Sequence, residues 1–248
     1  MFKVTDENIR RYREDGFFIT DVAFTETELK DLRGEFDRLW REEVTRAEKG
    51  GDARDIDMTK LRPFIGHVHK RSETAADFTR HVVFQEICGA LIGPDADLYF
   101  NQAVMKPPGK GKAFCWHQDT QYIITNPLEY VTCWVAAARA TVDNGTIWIV
   151  PGMHKHGLLP HVINPESKEW DCQFDSSWKV PVVLRAGQMA VFNSLLPHAS
   201  GPNISNETRY AYVVQYHVPS VRHRDNGELA GDQFPMLREG RLAEPVAV

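Results

Sequence analysis

A chain of 248 residues with 42% hydrophobic side chains can bury a sizeable core, and its length fits a single domain, 1–248. Its net charge of −5 gives no broad attraction to nucleic acid or to an anionic membrane surface. The longest apolar runs fall short of the ~18 residues a membrane span requires.

The opening Met1-Phe2-Lys3-Val4-Thr5-Asp6-Glu7 lacks the apolar centre of a secretory signal. Cys88, Cys115, Cys133 and Cys172 are scattered without a Cys-x-x-Cys pair, which suits reduced thiols and a cytoplasmic setting. A short helix is expected from Asp6 to about Asp15, closed by Gly16 and followed by a strand at Phe17-Phe18-Ile19. Thr25 with Glu28 three residues on forms a capping box, with Phe24 and Leu29 as its hydrophobic staple. Leu29, Leu32, Phe36, Leu39 and Trp40 then continue one apolar helical face to about Ala47. Residues 51–71 read as a loop with a basic end, either a lid over a site or a solvated connector. Short helices are expected over 72–79 and 82–91.

After Gly93-Pro94 the pattern turns to short strands, expected at 98–105, 114–116, 130–138, 146–150, 180–184, 189–192 and 210–218. The fold class is α+β, mainly β: a double-stranded β-helix (jelly roll, cupin-like) flanked by N-terminal helices. Residues 1–95 form the helical flank with its short strand, 96–220 the jelly-roll core and 221–248 a C-terminal tail. The last core strand has one apolar face (Tyr210, Tyr212, Val214, Tyr216) and one mixed face (Arg209, Ala211, Val213, Gln215, His217). Either the mixed face looks at water, or the barrel interior holds a polar site while the apolar face lies under the helices.

The chemistry centres on Phe114-Cys115-Trp116-His117-Gln118-Asp119-Thr120-Gln121-Tyr122. On extended backbone, His117 and Asp119 present an imidazole and a carboxylate to the same side. That is two-thirds of the two-His, one-carboxylate face of non-haem Fe(II) oxygenases. A second His-x-Asp, His223-Arg224-Asp225, sits among charges and reads as solvated surface. The best-placed third ligand is His198, at a strand end before a Gly-Pro turn, with Ser200 two residues later and Arg209 opening the next strand. A guanidinium there could clamp a carboxylate bidentately, with a hydroxyl donating one further bond.

His117-Gln118-Asp119, His198-Ala199-Ser200-Gly201 and Arg209 together resemble the phytanoyl-CoA dioxygenase family of Fe(II)- and 2-oxoglutarate-dependent oxygenases. Tyr12-Arg13-Glu14-Asp15-Gly16-Phe17 and the stretch Asn144-Gly145-Thr146-Ile147-Trp148-Ile149-Val150-Pro151-Gly152-Met153-His154-Lys155 extend the resemblance. It implies Fe(II) on His117, Asp119 and His198, with 2-oxoglutarate and O2 as co-substrates. Arg209 and Ser200 match positions that bind the far carboxylate of 2-oxoglutarate, and Gln102 and Trp134 match positions lining its pocket. The implied reaction hydroxylates a C–H bond of a small organic substrate and releases succinate and CO2. Some relatives are halogenases with a small residue in place of the metal carboxylate; the presence of Asp119 favours hydroxylation.

Three other features compete. His154-Lys155-His156 could be a metal pair of a cupin-type isomerase or lyase, or His154 could touch substrate. Lys106, Lys110 and Lys112 could attract an anion, but a solvated loop is the simpler expectation. Cys115 is expected to be a small buried residue, and Tyr122, Trp116 and Asn193 are substrate-wall candidates by position. A jelly-roll binding or sensor module without catalysis is the remaining alternative.

Overall fold

The computed structural model describes residues 2–49, 64–109 and 112–244. Helix α1 (Asp6–Glu14) ends near Gly16, whose φ of +84° turns the chain into strand β1 (Phe17–Ile19). Helix α2 (Glu26–Glu48) starts on the expected capping box: Glu28 N–H donates to Thr25 Oγ1 (3.3 Å), and Thr25 N–H donates to the Glu28 carboxylate (2.7 Å). Such a cap contributes about 1 kcal/mol. Strand β2 (Phe64–Gly66) and helices α3 (Glu73–Thr79) and α4 (Val82–Leu91) complete the N-terminal flank.

The core strands are β3 (Ala96–Lys106), β4 (Phe114–His117), β5 (Val131–Ala136), β6 (Ile147–Ile149), β7 (Val180–Pro181), β8 (Met189–Asn193), β9 (His198–Ser200) and β10 (Arg209–His217). Two more follow, β11 (Phe234–Arg238) and β12 (Arg241–Leu242). They form two facing antiparallel sheets. The large one runs β1-β8-β5-β10-β3-β11-β12, with β2 also paired to β3, and the small one runs β7-β6-β9-β4. This is a jelly roll, as the strand pattern implied.

Strand β10 explains the layering. Tyr212, Val214 and Tyr216 face the helices, with Phe36 5.3 Å from the Tyr212 ring and Phe84 5.6 Å from the Tyr216 ring. Each fully buried ring of this kind contributes about 1.5–3 kcal/mol. The alternate residues Ala211 and Val213 pack between the sheets with Val104, Trp134 and Ile147. Arg209 and Gln215 open from that same face into a cavity of about 560 Å³. The mixed face therefore points inward, because the spare helices have taken the apolar one.

Beyond two unexpected short strand pairs (His161–Ile163 with Trp170–Cys172, Thr125–Asn126 with Arg222–His223) and a strand at 180–184 that is only Val180–Pro181, two further segments differ from expectation. Part of the 51–71 loop is strand β2, whose three residues are too few to show a period of two. The remainder of that loop up to residue 63 lies outside the described residues. The tail at 221–248 supplies β11, which pairs with the start of β3 at Phe234↔Leu98. Pro235 argues against a strand in sequence, yet it is tolerated toward the sheet margin. Gly231 (φ +77°) makes the approach possible, since a Cβ there would meet the Tyr99 ring at 2.3 Å. Among the described residues no helix is long and apolar enough to cross a membrane.

Candidate active site

The structure brings His117, Asp119 and His198 together. His117 ends β4, and Gln118 stays extended (φ −109°, ψ 135°) before the chain turns at Asp119, so the i, i+2 geometry holds. His198 opens β9 and is the direct cross-strand partner of His117. The ligand atoms lie within 4.8 Å of one another; Asp119 Oδ1 is 3.4 Å from His198 Nε2 and 3.8 Å from His117 Nε2. Adjacent ligands on an octahedral ion with bonds of about 2.1 Å sit about 3 Å apart, so small adjustments close the set.

Neighbouring groups fix which atoms face the ion. The Nδ1–H of His117 donates to Cys115 O (2.9 Å) and that of His198 to Leu196 O (3.1 Å), which leaves both Nε2 lone pairs for a metal. Burial, with the His198 ring second, holds the His117 pKa well below the usual imidazole range and keeps that ring neutral. Asp119 Oδ2 accepts from Thr132 Oγ1 (2.8 Å) and Gln215 Nε2 (2.9 Å), leaving Oδ1 for the ion. Gln118, between the ligands, is fully buried: its amide donates to Gly157 O (2.8 Å) and Leu195 O (2.5 Å) and accepts from Leu159 N–H (2.8 Å).

Arg209 shares the cavity and is 1% exposed. Its Nη1 donates to Gly145 O (3.0 Å), its Cζ lies 5.2 Å from the Trp134 ring centroid, and Nε and Nη2 have no hydrogen-bond partner. Burial pulls its pKa down to about 9. Two orphaned N–H donors cost about 1–3 kcal/mol each, and an incoming carboxylate would satisfy both. Ser200 lines the cavity, and its Oγ accepts from Lys106 Nζ (2.8 Å). Gln102 and Trp134 line it as well, flanking Val213 of β10 from the two neighbouring strands.

The mouth of the cavity is aromatic: Phe64, Phe100, Phe114, Tyr99, Tyr122 and Tyr130 face it. Phe114 and His117 reach the same space although three residues apart, because β4 slips register against β9 between His198 and Ser200. Tyr99 Oη is buried and unpartnered, and burial, with the Asp119 carboxylate second, pushes its pKa up to about 12. His67 Nδ1 sits 2.9 Å from Asp232 Oδ2, and both residues belong to the wall.

Several candidates fall elsewhere. His154 leaves the cavity entirely: its ring packs against Gly16 and its Nε2 donates to Arg13 O (3.2 Å), bracing the α1–β1 turn. Together with His156 it lies in a one-turn 3-10 helix, and among the described residues the only metal-capable cluster is His117, Asp119 and His198. Asn193 donates to Glu129 Oε2 (2.7 Å) and accepts from Leu195 N–H (2.9 Å), so it shapes the β8–β9 turn and not the substrate wall. Trp116 stacks edge-on against Phe174 outside the cavity, and Cys115 is half-buried beside Ser167. Lys106 is 1% exposed, the reverse of a solvated loop; Lys110 lies outside the described residues. Thr132, Gln215 and Tyr99 went unnoticed in sequence, although Gln215 stood on the mixed face of β10.

The family model described as "Phytanoyl-CoA dioxygenase (PhyH)" matches residues 12–211. The chain is 26% identical over 189 residues to "Phytanoyl-CoA dioxygenase" of Arabidopsis thaliana, covering 74% of this chain and 64% of that protein. It is 28% identical over 224 residues to "Methylphosphonate hydroxylase" of Gimesia maris, covering 87% and 81%. Among solved structures, the non-heme monooxygenase ThoJ superposes with a TM-score of 0.72 at 27% identity, covering 90% of this chain and 84% of that one. EvdO2 from Micromonospora carbonacea var. aurantiaca, complexed with 2-oxoglutarate, shares the fold at a TM-score of 0.73 and 22% identity, covering 92% and 96%.

Proposed function

The chain belongs to the phytanoyl-CoA dioxygenase (PhyH) family, and from that premise we propose that it is an Fe(II)- and 2-oxoglutarate-dependent dioxygenase. The reaction is hydroxylation of a C–H bond in a small, largely apolar substrate, with release of succinate and CO2. The observation that carries this reading is the buried guanidinium of Arg209, two donors orphaned, in the same cavity as a complete His-Asp-His set. A binding module has no use for both.

When bound, iron and 2-oxoglutarate supply the coupling of oxidative decarboxylation to C–H oxidation. The protein's part is to bind and aim. His117 and His198 offer their Nε2 atoms, Asp119 is held by Thr132 and Gln215, and Arg209 takes the far carboxylate of the co-substrate. Trp134 covers the guanidinium and keeps water from it. Because Asp119 fills the third ligand position, hydroxylation is favoured over halogen transfer. The aromatic mouth suits an apolar body, and Tyr99 Oη offers one hydrogen bond to an acceptor on it.

Anaerobic addition of Fe(II) and 2-oxoglutarate should produce a visible charge-transfer band, and His198→Ala should abolish it. A wild-type protein without the band would overturn the proposal. Succinate release across a panel of acyl thioesters, phosphonates and ring-bearing compounds then identifies the substrate class.

A further inference from the structure

Lys106 ends β3 directly opposite Arg209, the first residue of β10, in the antiparallel register. Both residues are 1% exposed, so two cations are buried side by side, Arg209 in the cavity wall and Lys106 outside it. They share a seat at Gly145. Arg209 Nη1 donates to its carbonyl, and Lys106 Cδ would lie 3.0 Å from any Cβ placed there. A side chain at 145, with φ at +80°, would also meet Gly201 O at 2.6 Å. Lys106 Nζ donates to Ser200 Oγ at 2.8 Å and to Gly201 O, while Asn203 Nδ2 holds the Lys106 carbonyl at 2.7 Å.

The direction of the Lys106–Ser200 bond has a chemical consequence. An ammonium group can only donate, whereas a hydroxyl has one proton and two lone pairs. With Lys106 occupying a lone pair, the Ser200 proton must point away from it, and Ser200 lines the cavity. Arg209, whose Nε–H and Nη2–H are buried without a partner, lines the same cavity. Three donors are therefore available to one carboxylate, which has about four lone-pair sites. Lys106 is not itself part of the cavity wall.

We infer that Lys106 is a positioning residue for the co-substrate's far carboxylate. It turns the Ser200 hydroxyl into a fixed donor and adds a second buried positive charge behind Arg209. This rests on the dioxygenase reading. It makes the site selective for a dicarboxylic 2-oxo acid over a monocarboxylic one, and it makes Lys106 and Ser200 act as a unit.

The test titrates 2-oxoglutarate and 2-oxobutyrate, which lacks the far carboxylate, into the anaerobic Fe(II) protein and follows the charge-transfer band. Lys106→Met should weaken 2-oxoglutarate tenfold or more and change 2-oxobutyrate less than twofold. Adding Lys106→Met to Ser200→Ala should cost less than a further threefold, because the second change removes a residue whose partner is gone. Lys106→Gln, neutral but still polar, should weaken 2-oxoglutarate at least fivefold and serves if the Met variant does not fold. Equal weakening of both co-substrates would assign Lys106 a merely structural role and overturn the inference, as would no change or full additivity with Ser200→Ala. A wild-type protein with no band for either acid would instead sink the dioxygenase reading, and this inference with it.

Discussion

At the deep end of the cavity, polar groups hold one another in directed bonds. Asp119 Oδ2 takes Thr132 and Gln215, both histidines lean on backbone carbonyls, and Arg209 is held by Gly145. At the mouth, Phe64, Phe100 and Phe114 present rings, and Tyr122 is 49% exposed. Hydrogen bonds fix direction to within tens of degrees, while rings provide area with little direction. The deep end is thus suited to a reagent held in one orientation, and the mouth to a partner recognised mainly by shape. Phytanoyl-CoA dioxygenase and methylphosphonate hydroxylase, both similar to this chain, differ in the substrates their names state.

The sharpest way to break this contrast is at Arg209. Arg209→Leu should weaken 2-oxoglutarate by a hundredfold or more in the charge-transfer titration, since it removes the donors that face the far carboxylate. Survival of tight binding would mean that the carboxylate sits elsewhere. Gln215→Leu removes one of the two bonds that orient Asp119. Loss of such a supporting bond lowers metal affinity by roughly 10–100-fold, here expected near the lower end because Thr132 remains. Fe(II) affinity by competition with a chelator measures it, and an unchanged value would show that Thr132 alone suffices.

The same contrast explains what the sequence could disclose. The deep end was readable because its residues are short-range patterns with chemical meaning: His117 and Asp119 two apart, Ser200 two after His198, Arg209 at the start of a strand. The layering was half-readable, since β10 has two well-marked faces but only the presence of surplus helices decides which one turns inward. Lys106 was misread because Lys-Pro-Pro-Gly-Lys-Gly-Lys is indistinguishable from a solvated loop. Its burial depends on Gly145, about 40 residues away, making room for its stem, and on the Gly201 carbonyl, about 95 residues away, accepting from its ammonium group. His154 and Asn193 were plausible by position alone, and position along the chain does not report which turn a side chain braces. The mouth was the least readable part, since Phe64 and Gly231 converge on it from opposite ends of the chain and neither has a local signature.

Acid should loosen the mouth. His217 stacks near Tyr99 and Tyr130 (5.8 and 5.9 Å), its Nε2–H donates to Pro127 O (3.1 Å), and its Nδ1 accepts from Val218 N–H (2.7 Å). Both nitrogens are therefore satisfied only in the neutral ring, and burial pulls its pKa from 6.5 to about 4. Between those values the unfolded chain binds a proton that the folded chain refuses, so stability falls as pH falls. At about 1.4 kcal/mol per unit, the loss between pH 7.5 and 5.5 is about 1 kcal/mol. Urea midpoints at the two pH values measure the total, and His217→Gln should shrink the difference by about that amount, the other depressed histidines such as His117 keeping their share. An unchanged slope in that variant would place the acid sensitivity in another group.

The smallest expected effect lies at Tyr122, whose ring is 5.7 Å from that of His117. With half of its surface in solvent, truncation removes only part of a ring's apolar contact, about 1 kcal/mol. Tyr122→Ala should therefore raise KM about fivefold for whichever compound drives succinate release, with 2-oxoglutarate affinity within twofold of wild type. That split separates the two ends of the cavity in one variant. If both values move together, Tyr122 supports the metal ligand His117 and not the substrate, and the boundary between braced and ring-walled regions belongs further out, at Phe100 and His67.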